Sequence, residues 1–145
     1  MVALLDVNVL VALFDAAHVH HEAAHAWFGK NCRDGWGTCP VTENALVRIL
    51  SNPAYPGRRT TLADAVSRLR QFCSHDDHSF WPDAVSIRTP DSFRTNHIQG
   101  HRQVTDVYLL ALAVANDGRL ATFDRSIPIK SLEGAARKHI LVIDS

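Results

Sequence analysis

The chain has 145 residues, 46% of them apolar, and its 15 Lys and Arg balance 15 Asp and Glu to a formal net charge of zero. That length suffices for one sizeable buried core and no second compositional block stands out, so a single domain over residues 1–145 is expected. Zero net charge excludes binding to nucleic acid by bulk electrostatics, and any such contact must come from local patches.

Met1 to Leu5 runs into an apolar stretch carrying Asp6 and Asn8, without a basic leader or a small-residue cleavage site, so no signal peptide is expected. Asp6, Asn8 and Asp15 interrupt the one apolar run that approaches the roughly 20 residues of a membrane-spanning helix, and a soluble, cytoplasmic protein is expected. Cys32, Cys39 and Cys73 form neither an even framework nor a close pair of the kind that grips zinc, and read as free thiols.

Val2 to Leu5 reads as a strand buried on both faces and ending at Asp6, followed by a helix from about Asn8 to Phe14. A second helix is predicted over His20 to Gly29, where Ala24, Trp27 and Phe28 recur at helical spacing. Gly35 to Thr38 punctuates the next connection, a brief strand is predicted around Thr38 and Cys39, and a helix follows through Val41 to Leu50, with Glu43 in its first turn and Asn52-Pro53 as its stop. Ala54 to Arg59 is a loop, Leu62, Val66, Leu69 and Phe72 mark an amphipathic helix, and Phe80 with Trp81 marks a strand. After a polar stretch from Asp91 to Arg102, a long helix is predicted over Val104 to Ala115, with Asp106 near its start and Gly118 as its cap. Leu120 to Phe123, ending at Asp124, and Ile140 to Ile143 complete the strands.

Short buried strands alternating with helices predict an α/β domain with a mainly parallel sheet covered on both faces. Ligands of such sheets sit beyond the carboxyl ends of the strands. Asp6 and Asp124 end predicted strands, and Glu43 and Asp106 begin helices that start on the same edge, so four acids are expected to converge there. Each acid alone is explained by a helix first turn or a loop. The coincidence of four, with Asp6 inside an apolar segment, requires a further reason. Clustered carboxylates are tolerable when a cation neutralises them, and hard oxygen donors select Mg2+ or Mn2+. Such an ion activates water and stabilises charge developing on a phosphodiester, which makes hydrolysis of that bond the expected chemistry.

Leu5-Asp6-Val7-Asn8-Val9-Leu10, Thr42-Glu43 opening a helix, Thr105-Asp106 followed by Leu109 to Ala115, and Thr122-Phe123-Asp124-Arg125 together resemble, in order and spacing, the PIN domain and within it the VapC-like ribonuclease toxins. The resemblance spans nearly the whole chain. It implies a three-layer α/β/α fold on a sheet of about five strands, and a Mg2+- or Mn2+-dependent endoribonuclease whose acidic site is Asp6, Glu43, Asp106 and Asp124. Asp6 and Asp106 are the firmest metal ligands by this reading, and Asn8, Thr42 and Thr105 match positions that support the site. It further implies a VapB-like antitoxin and a homodimer, neither of which follows from periodicity or spacing.

Rival readings rest on particular residues. His21-Glu22-Ala23-Ala24-His25 fits the zinc-protease pattern H-E-x-x-H, with Glu43 as a conceivable third ligand, but it lies in a His-rich stretch and leaves three acids unexplained. A phosphatase with Asp6 as nucleophile wants a second acid two residues on, where Asn8 stands. A domain that only binds RNA or protein would be favoured had any of the four acids been lost. For RNA, Arg58, Arg59, His97, His101 and Arg102 are the contacts proposed, while Arg68 and Arg70 read equally well as a solvated helix face.

Overall fold

The computed structural model describes residues 1–57 and 59–145. Five strands, β1 (Ala3–Leu5), β2 (Trp36–Thr38), β3 (His78–Phe80), β4 (Arg119–Thr122) and β5 (Ile140–Val142), form one all-parallel sheet in the order β3-β2-β1-β4-β5. Five helices accompany them: α1 (Val7–Phe14), α2 (His21–Asn31), α3 (Pro40–Ser51), α4 (Leu62–Phe72) and α5 (Val104–Ala115). The expected three-layer α/β/α architecture is what the chain adopts.

Strand alternation divides the core. Ala3 and Leu5 of β1, Trp36 of β2 and Ala121 of β4 pack with Val9, Leu10, Leu46, Leu50 and Ala65 of α1, α3 and α4, joined by Trp27 and Phe28 of α2. Leu4 and Leu120 face the other way, onto Leu109, Leu112 and Ala113 of α5. Helix α5 is apolar nearly all round, as a helix enclosed on several sides must be. Its outer side is covered by Trp81, Ile127 and Leu132, and by a strap in which Arg94 N–H donates to Ser131 O (2.8 Å) and Glu133 N–H to Ser92 O (2.9 Å).

Three local expectations shift. Strand β2 begins at Trp36 rather than near Thr38, because Gly35 (φ +95°) makes the turn and Gly37 lies within the strand, where a Cβ would stand 3.2 Å from Ser79 O. Strand β3 starts two residues before Phe80 and releases Trp81 into the α5 layer. Gly118 is not the left-handed cap of α5. Asp117 takes that conformation (φ 53°), with its N–H on Val114 O and that of Gly118 on Ala113 O. Gly118 is glycine because a Cβ there would fall 2.5 Å from Trp81 and 2.6 Å from Val2 O. No helix among the described residues is long and apolar enough to cross a membrane.

The chain builds outward from β1 through β2 to β3, then returns across the molecule to lay β4 on the opposite side of β1. The carboxyl ends of β1 and β4 therefore flank the point where strand order reverses, the place where open parallel sheets bind ligands.

Candidate active site

Asp6 ends β1 and caps α1, and it is only 4% exposed. Its Oδ1 accepts from Val7 N–H (2.7 Å) and its Oδ2 accepts from the Thr122 hydroxyl (2.7 Å) at the end of β4. Thr122 Oγ1 in turn accepts the Asp124 N–H (3.0 Å), which bends the chain back after the strand. Asp124 Oδ1 is held by the N–H (2.8 Å) and the hydroxyl (2.6 Å) of Ser126. Asp106, in the first turn of α5, meets Asp124 side chain to side chain and feels the charge of Asp6.

The electrostatics follow from this crowding. Burial first, then the charges of Asp6 and Asp124, push Asp106 up to about 7. Burial also raises Asp6, against its hydrogen bonds from Thr122 and Val7 and with a further push from Asp124. Asp124 is lowered, chiefly by the Ser126 hydroxyl. No cationic side chain is bonded to any of the three; the two ion pairs among the described residues are Arg94–Glu133 and Arg125–Asp144, both at exposed positions. Asp106 and Asp124 open onto a cleft of about 430 Å3 that Gln99, His101, Arg102 and Gln103 also line. Gln103 ties this rim together, accepting from Gln99 N–H (2.8 Å) and donating to Ser126 O (3.2 Å).

Glu43, the fourth expected acid, makes no hydrogen bond to the aspartates among the described residues. Its carboxylate accepts the Thr38 hydroxyl (2.6 Å), and its charge acts on Cys73 and His78 rather than on the aspartates. Helix α3 starts at the carboxyl edge, and the Thr38 to which Glu43 is bonded ends β2. Burial raises the Cys73 thiol, with Glu43 adding to the rise, and burial lowers His78.

The supporting residues also divide. Thr42 is buried, but its hydroxyl binds Cys39 N–H and Cys39 O (both 3.1 Å), so it caps α3 rather than serving the acids. Thr105 is exposed and has no side-chain hydrogen bond among the described residues. Asn8 carries a buried Oδ1 without a partner among the described residues. Of the proposed RNA contacts, His101 and Arg102 line the cleft, His97 is exposed outside it, Arg59 lines a separate groove beside Tyr55 and Arg68, and Arg58 lies outside the described residues.

Thr122 and Ser126, which orient Asp6 and Asp124, drew no role from sequence reasoning. The signal for Thr122 was a hydroxyl at the end of an otherwise apolar strand, two residues before an acid. The H-E-x-x-H stretch does not gather a metal site: His21 Nδ1 is bonded to Ala12 O (2.7 Å), Glu22 and His25 are exposed, and no third ligand joins them among the described residues.

Comparison with known proteins agrees with this architecture. The family model described as PIN domain matches residues 3–131. The chain is 43% identical over 143 residues to Ribonuclease VapC44 of Mycobacterium tuberculosis (strain ATCC 25618 / H37Rv), covering 99% of this chain and 100% of that protein. It is 45% identical over 127 residues to Ribonuclease VapC39 of the same organism, covering 88% of this chain and 91% of that one. Ribonuclease VapC29 is 43% identical over 127 residues, at 88% and 89% coverage.

Proposed function

The chain belongs to the PIN-domain family, and from that premise we propose that it is an endoribonuclease, the toxin half of a toxin–antitoxin pair, that hydrolyses RNA phosphodiester bonds with the help of Mg2+ or Mn2+ held by Asp6, Asp106 and Asp124. The observation that carries this reading is the half-buried cluster of three acids at the strand-order reversal, where burial and then the charges of Asp6 and Asp124 raise Asp106 to about 7. Relatives named ribonucleases over nearly the whole chain support the substrate class.

The residues fit a hard divalent cation. Every donor is oxygen, three acids repel one another without a bonded cationic side chain, and the Asn8 Oδ1 is a buried acceptor with no hydrogen-bond donor. A bound cation would neutralise the cluster, activate water and stabilise charge on the phosphate. The chain's own residues do the positioning. Thr122 and Val7 leave lone pairs of Asp6 free while fixing its plane, and Ser126 fixes Asp124. Asp106, raised to about 7 by burial and by its acidic neighbours, changes charge state near neutral pH. Arg102 and His101 on the rim are candidates to meet RNA phosphate. A VapB-like antitoxin that covers the cleft, and a homodimer, complete the proposal.

The test is incubation of the purified, antitoxin-free protein with folded cellular RNA in Mg2+ or Mn2+, with chelator and with Asp106→Asn as controls. Cuts at few sites, lost with chelator and with the substitution, are expected. Persistent inactivity of the folded protein, or cleavage indifferent to chelator, would overturn the proposal.

A further inference from the structure

The cleft beside Asp106 and Asp124 has a second wall, a tight turn over His101–Gln103 that leads directly into α5. Gln103 N–H closes that turn on Gly100 O (3.1 Å), while the Gln103 side chain accepts from Gln99 N–H (2.8 Å) and donates to Ser126 O (3.2 Å). Ser126 is the residue that holds Asp124. One run of hydrogen bonds therefore ties the turn that carries His101 to the loop that carries Asp124.

Hydrolysis of a phosphodiester calls for a group that this wall supplies. As a water oxygen bonds to phosphorus, the bond from phosphorus to one ribose oxygen breaks, and that oxygen departs as a strongly basic alkoxide unless it takes up a proton. Among the described residues that line the cleft, Asp106 and Asp124 are given to the cation in the reading above, Arg102 does not release its proton, and the amides of Gln99 and Gln103 do not titrate. His101 is left. An imidazole releases and recovers a proton near neutral pH. This one is exposed, so it exchanges protons with water between turnovers, and its side chain makes no hydrogen bond among the described residues.

We propose that His101 is the general acid of the RNA cleavage, protonating the ribose oxygen that leaves. The inference rests on the functional reading above, which puts the scissile phosphate in this cleft. The imidazolium proton passes to the leaving oxygen as its bond to phosphorus breaks, the proton lost by the attacking water goes to solvent, and neutral His101 takes a proton back from solvent.

The test uses a short oligoribonucleotide spanning a site cut in folded cellular RNA, whose product ends show which oxygen leaves. It is made in the natural form and with sulfur at that oxygen, because a thiolate departs without needing a proton. Each variant's single-turnover rate is taken relative to the wild type on the same form, which cancels any effect of sulfur on the cation. His101→Gln is expected to cut the natural form on the order of 10²-fold more slowly and the sulfur form at close to the wild-type rate. Arg102→Gln, which loses only a cationic contact, slows both forms alike. Metal-free binding of the natural form, read by fluorescence anisotropy, stays the same in His101→Gln, and so does its urea midpoint, as suits an exposed side chain. Equal slowing of both forms by His101→Gln, a loss explained by weaker binding, or wild-type cleavage of the natural form overturns the proposal and leaves the nuclease reading intact. A wild-type protein that cuts no RNA overturns both.

Discussion

Two polar clusters lie near the carboxyl end of the sheet, one on each side of the β1–β2 pair, and they are built on opposite principles. Asp6, Asp106 and Asp124 are alike in charge and receive hydrogen bonds only from hydroxyls and backbone N–H groups, so their repulsion is left standing. Glu43, Cys73 and His78 are unlike one another and surround a shared hydroxyl, Thr38. The first arrangement is costly in the absence of a cation. The second is tolerable without one.

The sharpest break between the clusters is expected in catalysis. Asp106→Asn should lower RNA cleavage on the order of 10²- to 10³-fold, as removal of a single group stabilising developing charge does elsewhere. Single-turnover cleavage measures it.

Next is Thr122→Val, which strips Asp6 Oδ2 of its donor and Asp124 N–H of its acceptor in a buried place. A loss of about 1–3 kcal/mol in urea unfolding is expected. Mn2+ affinity should fall roughly 10- to 100-fold, the scale for a residue that orients a ligand; an unchanged affinity would mean that Asp6 needs no orienting.

The pH dependence of stability has a definite sign. In the unfolded chain Asp106 loses its proton near 3.8, whereas in the fold it keeps it to about 7. Between those values the unfolded state binds fewer protons, so this residue's contribution to stability falls as pH rises from about 4 to about 7 and then levels off. Partial exposure of the group limits the effect to about 1–2 kcal/mol. Metal-free melting curves across that range should decline in step, Asp106→Asn should flatten the decline, and Mg2+ should restore stability above pH 7 in the wild type alone. A wild-type profile that rises through the window would contradict the crowding of the three aspartates.

The smallest effect is expected from Glu43→Gln. If α3 holds this side chain with Thr38, cleavage should change by less than about tenfold, against the much larger loss at Asp106. An equal loss at both positions would merge the two clusters into one functional unit.

Sequence periodicity revealed most of the fold, and the bounds of α5 agree with the expected Val104 to Ala115. Reading strand ends and helix starts correctly brought Asp6, Asp106 and Asp124 to one edge. What it lacked was the direction of the Glu43 side chain, which bonds the Thr38 hydroxyl. Spacing likewise hid the Glu43, Cys73 and His78 group, whose members come from three elements and form no motif along the chain. Thr42 and Thr122 illustrate the same gap. Both are buried threonines beside an expected acid, yet one hydroxyl closes a helix end and the other joins two strands. Only the direction of the side chain separates them.

The reversal of strand order between β1 and β4 also sets when the three-aspartate cluster can exist. Thr122 and Asp6 are 116 residues apart, so their contact is among the last that a chain synthesised from its N-terminus is able to make. A nascent chain that has delivered β1, β2 and β3 already owns the Glu43, Cys73 and His78 group but only one of the three aspartates. The three-aspartate cluster is assembled only after β4 and Asp124 have emerged, and no translation product that ends before Asp124 carries it.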